Sequence, residues 1–224
     1  MDILQSIKSV ISPPHKEGYP FIIGGLIAVF IGLVFWHPIA WLGLIFTAFC
    51  LYFFRDPERV APPRGNVFLA PADGLVVSIE PAVPPEELGL GPIPRPRVAI
   101  FLSVLDVHVN RAPIAGVVTR IAYRAGKFFN AADDKASDDN ERNALAMRLA
   151  TGQEIAVVQI AGLIARRIVC EVTEGQALTA GARFGIIRFG SRTDLYLPVG
   201  TLPLVAVGQR MIGGETVIAE LLAV

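Results

Sequence analysis

The distribution of apolar and polar positions divides the chain into two unlike parts. Between Glu17 and Arg55 there is no Asp, Glu, Lys or Arg, and that interval holds two apolar runs, Phe21–Trp36 and Ile39–Phe54, of 16 residues each. As a helix each run is about 24 Å long at roughly 1.5 Å per residue, slightly short of the ~30 Å hydrocarbon core of a bilayer. His37-Pro38 separates them. Proline lacks an N–H and disfavours helical geometry at the residue before it, so the pattern predicts a helical hairpin and not one continuous rod. Neither run shows the polar face expected of a helix that covers a soluble core. Trp36 and Trp41 flank the break, and Tyr19 and Tyr52 mark the opposite ends, placements that suit rings with a polar edge at a membrane interface. Lys8, Lys16, Arg55, Arg59 and Arg64 lie outside the runs. The positive-inside bias then puts both ends of the hairpin, and all that follows, on the cytoplasmic side of the cell membrane. The expected organisation is a cytoplasmic segment over 1–18, a membrane anchor over 19–54 and a separate domain over 55–224.

Beyond Arg55 the apolar runs become short and β-branched. Val67–Ala70, Leu75–Ile79, Val98–Val104, Gly116–Tyr123, Glu154–Gln159, Ile168–Val172, Phe184–Phe189, Leu195–Leu197 and Val217–Leu222 are expected as strands. Turn signals punctuate them at Asp73-Gly74, Thr151-Gly152, Glu174-Gly175, Gly190 and Gly213-Gly214. Asn143–Leu149 is expected as a short helical turn and Pro81–Pro96 as an exposed loop. The polar, acidic stretch Asn130–Asn143 is expected as a solvated loop, or as a loop over a site. The fold class is mainly β, a barrel- or sandwich-like domain closed to protect its edges, behind an N-terminal helical membrane hairpin.

Composition narrows the function. Twenty basic and twenty acidic residues give a formal net charge of zero, so no general attraction for nucleic acid is expected. Two cysteines cannot build a disulfide framework. No nucleotide fingerprint, zinc spacing or Gly-x-Ser-x-Gly elbow occurs, and no metal is expected.

Three polar positions carry candidate chemistry. His108 is the only histidine of the β-rich part, hence the only side chain there whose unperturbed pKa lies near neutrality. Strand alternation would group it with Asp106 and Asn110. Asp73 sits in Pro71-Ala-Asp-Gly74, and Ser191 follows Gly190 in Arg188-Phe-Gly-Ser-Arg192. Each alone has an ordinary structural reading, as a hydrogen-bonded histidine, a tight turn and a turn serine.

Taken in order, Phe53-Phe-Arg-Asp-Pro-Glu-Arg59, Pro71-Ala-Asp-Gly74, Asp106-Val-His-Val-Asn-Arg111, Arg188-Phe-Gly-Ser-Arg192 and Leu195-Tyr-Leu-Pro198 resemble the phosphatidylserine decarboxylase family, in its short membrane-anchored bacterial form and its archaetidylserine-decarboxylase-like relatives. The resemblance implies a proenzyme that cuts itself between Gly190 and Ser191 into a β chain (1–190) and an α chain (191–224). Ser191 would become a covalent pyruvoyl cofactor, to which the serine head group binds as a Schiff base before it loses CO2. It implies Ser191, His108 and Asp73 as the catalytic residues, with Asp73 orienting the histidine. Arg111, Arg188 and Arg192 are candidates for the lipid phosphate or the serine carboxylate. Longer relatives carry His-x-x-His where this chain has His108 and Arg111, so His108 serves both processing and decarboxylation, or Asp73 or a water takes one of those roles. The implied partners are the phospholipid substrate, the membrane and the two chains of one precursor; a homo-oligomer is compatible with the sequence. Two other readings are the same chemistry on another serine-headed lipid, such as archaetidylserine, and a non-enzymatic β domain tethered to the membrane.

Overall fold

The computed structural model describes residues 12–127, 140–162, 167–188 and 190–221. Most of the acidic stretch expected as a loop (130–139), Phe189 and Leu222 lie outside them. The chain separates into two compact units, 1–58 and 59–224.

The first unit is a pair of helices, Tyr19–Phe35 and His37–Phe53. The first continues a 3-10 turn at Lys16–Gly18, and the 20-residue stretch Lys16–Phe35 is long and apolar enough to cross a membrane. The second helix has 17 residues. Small residues let the helices meet closely. A Cβ on Gly25 would fall on Thr47 Oγ1, one on Gly32 would fall on the Ala40 backbone, and one on Gly43 would lie 2.8 Å from Val29 N. The large side chains point outward, with Phe30, Phe35, Trp36, Trp41 and Leu42 all exposed. Small residues at the helix contact and large apolar ones outside is the packing of helices in lipid. The open end is stitched by backbone bonds from His15 N to Phe54 O (2.7 Å) and from Asp56 N to Pro13 O (2.9 Å). Phe21 stacks on Phe54 there, with ring centroids 5.4 Å apart.

The described residues of the second unit form thirteen strands: β1 (Val67–Leu69), β2 (Gly74–Ala82), β3 (Arg95–Leu102), β4 (Val109–Arg111), β5 (Gly116–Arg124), β6 (Arg142–Arg148), β7 (Glu154–Ala161), β8 (Arg167–Cys170), β9 (Ala177–Leu178), β10 (Arg183–Arg188), β11 (Ser191–Tyr196), β12 (Arg210–Met211) and β13 (Val217–Glu220). An eight-stranded sheet runs β12-β2-β3-β11-β7-β6-β5-β9, a three-stranded sheet β4-β10-β8, and β1 pairs with β13. Among the described residues the pairings between these strands are antiparallel. The principal core lies on one face of the large sheet, where Val76, Val98, Ile100, Leu145, Val157 and Leu195 pack with Phe68, Phe184 and Ile218.

Three expectations are corrected. Asn143–Leu149 is not a helical turn: β6 is hydrogen-bonded to β5 on one side and β7 on the other over its whole length, so sheet pairing overrides the helix preference of its Ala, Leu and Met. The stretch 81–96 is not simply an exposed loop. Pro81 and Ala82 belong to β2, Pro96 belongs to β3, and Leu88, in the 3-10 turn Glu86–Leu88, is 4% exposed and packs on Ala144, Ala146 and Ala156 of the outer sheet face. The strand expected at Leu195–Leu197 begins four residues earlier, at Ser191.

Candidate active site

The Gly190–Ser191 linkage lies where the chain changes sheets. β10 belongs to the three-stranded sheet, and β11 opens at Ser191 in the middle of the large one, between β3 and β7. Gly190 makes the corner with φ +63°, a left-handed conformation that costs a residue with a Cβ about 1–2 kcal/mol.

Each polar group of the linkage has a defined surrounding. Gly190 N–H donates to His108 Nε2 at 3.3 Å, and Gly190 C=O accepts from Gly162 N–H at 3.1 Å. Ser191 is fully buried, and its Oγ has no hydrogen-bond partner among the described residues. An unmade bond at a buried hydroxyl is costly and needs an explanation; a nucleophile awaiting reaction is one.

His108 sits one residue before β4, fully buried. Its Nδ1 lies 2.9 Å from Asp106 O. A carbonyl only accepts, so Nδ1 carries the proton and Nε2 presents a lone pair to the Gly190–Ser191 corner. The turn that makes this contact is pinned by the Asp106 carboxylate, whose Oδ2 accepts from Ser103 N (2.9 Å) and Ser103 Oγ (2.7 Å) and whose Oδ1 accepts from Arg210. Asp106 therefore acts on the histidine through its carbonyl while its side chain faces Ser103 and Arg210. The sequence grouped Asp106, His108 and Asn110 on one strand face; the strand starts only at Val109.

Asp73 occupies the bend before β2. Its Oδ1 accepts from Gly213 N (2.8 Å) and its Oδ2 from Arg59 Nη2 (2.8 Å). Arg59, counted from sequence among the basic residues flanking the hairpin, is thus paired with a candidate site residue. The bend is laced to β4 by Arg111 N–H donating to Pro71 O (2.8 Å), and β10 is laced to the histidine by Ile187 N–H donating to His108 O (3.3 Å). These bonds bring the segments carrying Asp73, His108 and Ser191 alongside one another.

The three arginines divide. Arg111 is 4% exposed and donates to Gly181 O at 3.0 Å. Arg188 ends β10 two residues before the corner and is partly exposed. Arg192 alternates to the face of β11 opposite Ser191. There it is fully buried and forms a bidentate pair with Asp194, Nε to Oδ1 at 2.6 Å and Nη2 to Oδ2 at 2.8 Å.

On the Ser191 face of β11 a buried polar rung continues the site. Asn110 Nδ2 donates to Thr193 Oγ1 (3.4 Å), Gln159 Nε2 to Asn110 Oδ1 (2.8 Å), and Asn143 Nδ2 to Gln159 Oε1 (2.9 Å). Among the described residues no cluster of three or more metal-ligating side chains occurs. Sequence reasoning did not find Gly162 or the Asp106 carbonyl, because both act through the backbone and leave no side-chain signal.

Comparison with known proteins gives a consistent result. A family model described as phosphatidylserine decarboxylase matches residues 46–219. The chain is 66% identical over 221 residues to a phosphatidylserine decarboxylase proenzyme of Granulibacter bethesdensis, covering 99% of this chain and 91% of the relative. It is 59% identical over 225 residues to a protein of the same name from Gluconacetobacter diazotrophicus, covering 99% and 100%. A third, from Cereibacter sphaeroides, is 57% identical over 223 residues, covering 97% and 94%.

Proposed function

We propose that this chain, which belongs to the phosphatidylserine decarboxylase family, is a proenzyme that cleaves its own Gly190–Ser191 bond and then converts phosphatidylserine to phosphatidylethanolamine and CO2. The observation that carries the reading is the corner itself. A buried serine hydroxyl without a partner follows a left-handed glycine whose N–H rests on a histidine lone pair.

Ser191 Oγ attacks the Gly190 carbonyl carbon. A serine hydroxyl is a weak nucleophile unaided; His108 is assigned as the base, its Nε2 lone pair turning from Gly190 N–H, where it rests, to the neighbouring Ser191 hydroxyl. The carbonyl π pair moves to oxygen. Collapse expels the Ser191 nitrogen, which takes a proton back, and leaves an ester between Gly190 and Ser191 Oγ. Removal of the Ser191 Cα proton then eliminates Gly190 as a carboxylate, and water hydrolyses the resulting enamine, as its imine, with release of ammonia. The histidine is oriented by Asp106 O, and Asp73, held by Arg59 and Gly213, is assigned to the neighbouring bend of the site.

The residues present suit the pyruvoyl group that this cleavage makes from Ser191. The position is sealed from solvent, and around Gly190 a Cβ would meet nothing nearer than Val104 Cγ1 at 4.0 Å. Once formed, the group supplies an electrophilic ketone for the substrate amine and a sink for the electron pair left by departing CO2. Arg111 and Arg188 are the cations assigned to the substrate carboxylate and phosphate. Arg192, engaged by Asp194 on the opposite face of β11, is assigned to structure. The apolar hairpin anchors the enzyme in the membrane, with the catalytic unit on the cytoplasmic side, as a substrate that stays in the bilayer requires.

Purified wild-type protein is expected to run as two chains of 190 and 34 residues, the smaller with a carbonyl-blocked amino terminus by mass spectrometry. Ser191→Ala is expected to remain one chain and to release no CO2 from phosphatidylserine vesicles. Splitting of that variant at the same bond overturns the reading.

A further inference from the structure

We infer that Asn140 is a positioning residue for self-cleavage, and that it acts by fixing the Ala161–Gly162 peptide so that Gly162 N–H stabilises the oxyanion formed at Gly190. The inference rests on the self-cleavage reading above and concerns only its first step.

Ala161 C=O and Gly162 N–H belong to one peptide group with two partners. Its N–H donates to the scissile carbonyl, Gly190 O, at 3.1 Å. Its C=O accepts from Asn140 Nδ2 at 2.7 Å. Asn140 is fully buried. The next bond along the chain holds the same unit: Ala161 N–H donates to Glu141 O at 2.9 Å. Among the described residues Gly162 N–H makes the last rung on the β7 side of β11, since Ser191 stands opposite Ala161. At that level β7 has passed the start of β6 at Arg142. No strand residue is left to satisfy Ala161 O, and the Asn140 side chain takes the place of one.

The chemistry follows from that arrangement. As Ser191 Oγ bonds to Gly190 C, the carbonyl double bond opens, the oxygen takes the electron pair, and the hydroxyl proton passes to His108 Nε2. The growing negative charge develops on the atom that Gly162 N–H already faces. A donor fixed beforehand at a developing charge lowers the barrier without reorganisation. A hydrogen bond accepted at Ala161 O polarises the peptide and strengthens its N–H as a donor. Asn140 touches no reacting atom and works only through this peptide.

The test follows splitting of freshly synthesised precursor by electrophoresis, with and without hydroxylamine. Asn140→Ala and the near-isosteric Asn140→Asp are expected to slow splitting about tenfold or more, since losing an oxyanion donor outright costs about 100- to 1,000-fold. Hydroxylamine cleaves esters. It is not expected to restore the rate, because the defect lies before the ester forms; a residue that merely supported the later elimination would let ester accumulate and be rescued. Wild-type rate in a folded variant, or full rescue by hydroxylamine, overturns the inference. One measurement needs no change at Asn140: in the Ser191→Ala precursor the Gly162 amide proton is expected to resist exchange with deuterium, and exchange at the rate of an open loop overturns it. Wild-type precursor that never splits removes the functional reading instead, so the two failures are distinguishable.

Discussion

Arg192 and Asp194 show how much polar chemistry this chain buries to keep one strand in place. Both are fully buried in β11 on the face opposite Ser191, and Arg97 adds a second cation 3.5 Å from Asp194 Oδ2. Removing one partner of such a pair strands the others without solvent, at a cost of roughly 3–5 kcal/mol, whereas replacing both with apolar groups of similar volume is far milder. Asp194→Ala is therefore expected to lower the urea midpoint of the full-length protein in detergent sharply, and Arg192→Met with Asp194→Leu to recover most of the loss. Equal loss in the single and double variants contradicts this account. At this scale the sequence spoke through side chains: His108, Asp73 and Ser191 could be named as candidates because few residue types perform acid–base or nucleophilic work, and the structure brings their segments together. The Asp106 carbonyl that sets the histidine tautomer and the Gly162 amide beneath the scissile carbonyl were not, since any residue but proline offers the same backbone groups.

Among the elements, those with clean alternation were readable and those with polar or helix-favouring composition were not. Ser191-Arg-Thr-Asp194 has the composition of a turn, yet it forms the first four residues of a strand paired on both sides. Arg192 and Asp194 satisfy one another and Thr193 Oγ1 accepts from Asn110 of β4, while Ser191 Oγ is left without a partner among the described residues; a single strand's sequence cannot display these pairings. The hairpin is the opposite case, because an uninterrupted apolar run carries its own signal. What composition left unsaid is the contact between its helices, set by Gly25, Gly32 and Gly43. Gly25→Leu places a side chain where Thr47 Oγ1 stands and is expected to splay the pair, read as a longer distance between spin labels at positions 19 and 52. An unchanged distance would show that the close approach is not what holds the helices together.

For the molecule as a whole, unfolding and cleavage are linked through β11. Tyr196, at the end of that strand, has its hydroxyl pKa pushed up to about 12 by burial and by the neighbouring Asp194 carboxylate. An unfolded tyrosine ionises near 10. Below that value both states are protonated and the contribution is fully present; between about 10 and about 12 only the unfolded chain gives up its proton, so stability falls as pH rises through the window, by roughly 2–3 kcal/mol. Urea titrations across that range are expected to show the fall in the wild type and a flatter profile in Tyr196→Phe; parallel profiles would count against it. The position of β11 also fixes the order of events in the life of the protein. On the proposed cleavage between Gly190 and Ser191, folding before the cut is a first-order process of one chain. After it, the 34-residue piece contributes the strand between β3 and β7 and also supplies β12 and β13, so the denatured mature protein reassembles only by a second-order encounter whose yield depends on dilution. On that reading the Gly190–Ser191 peptide bond is a temporary tether that sets the sheet's centre strand once, and its loss would turn a reversible folding equilibrium into a ratchet.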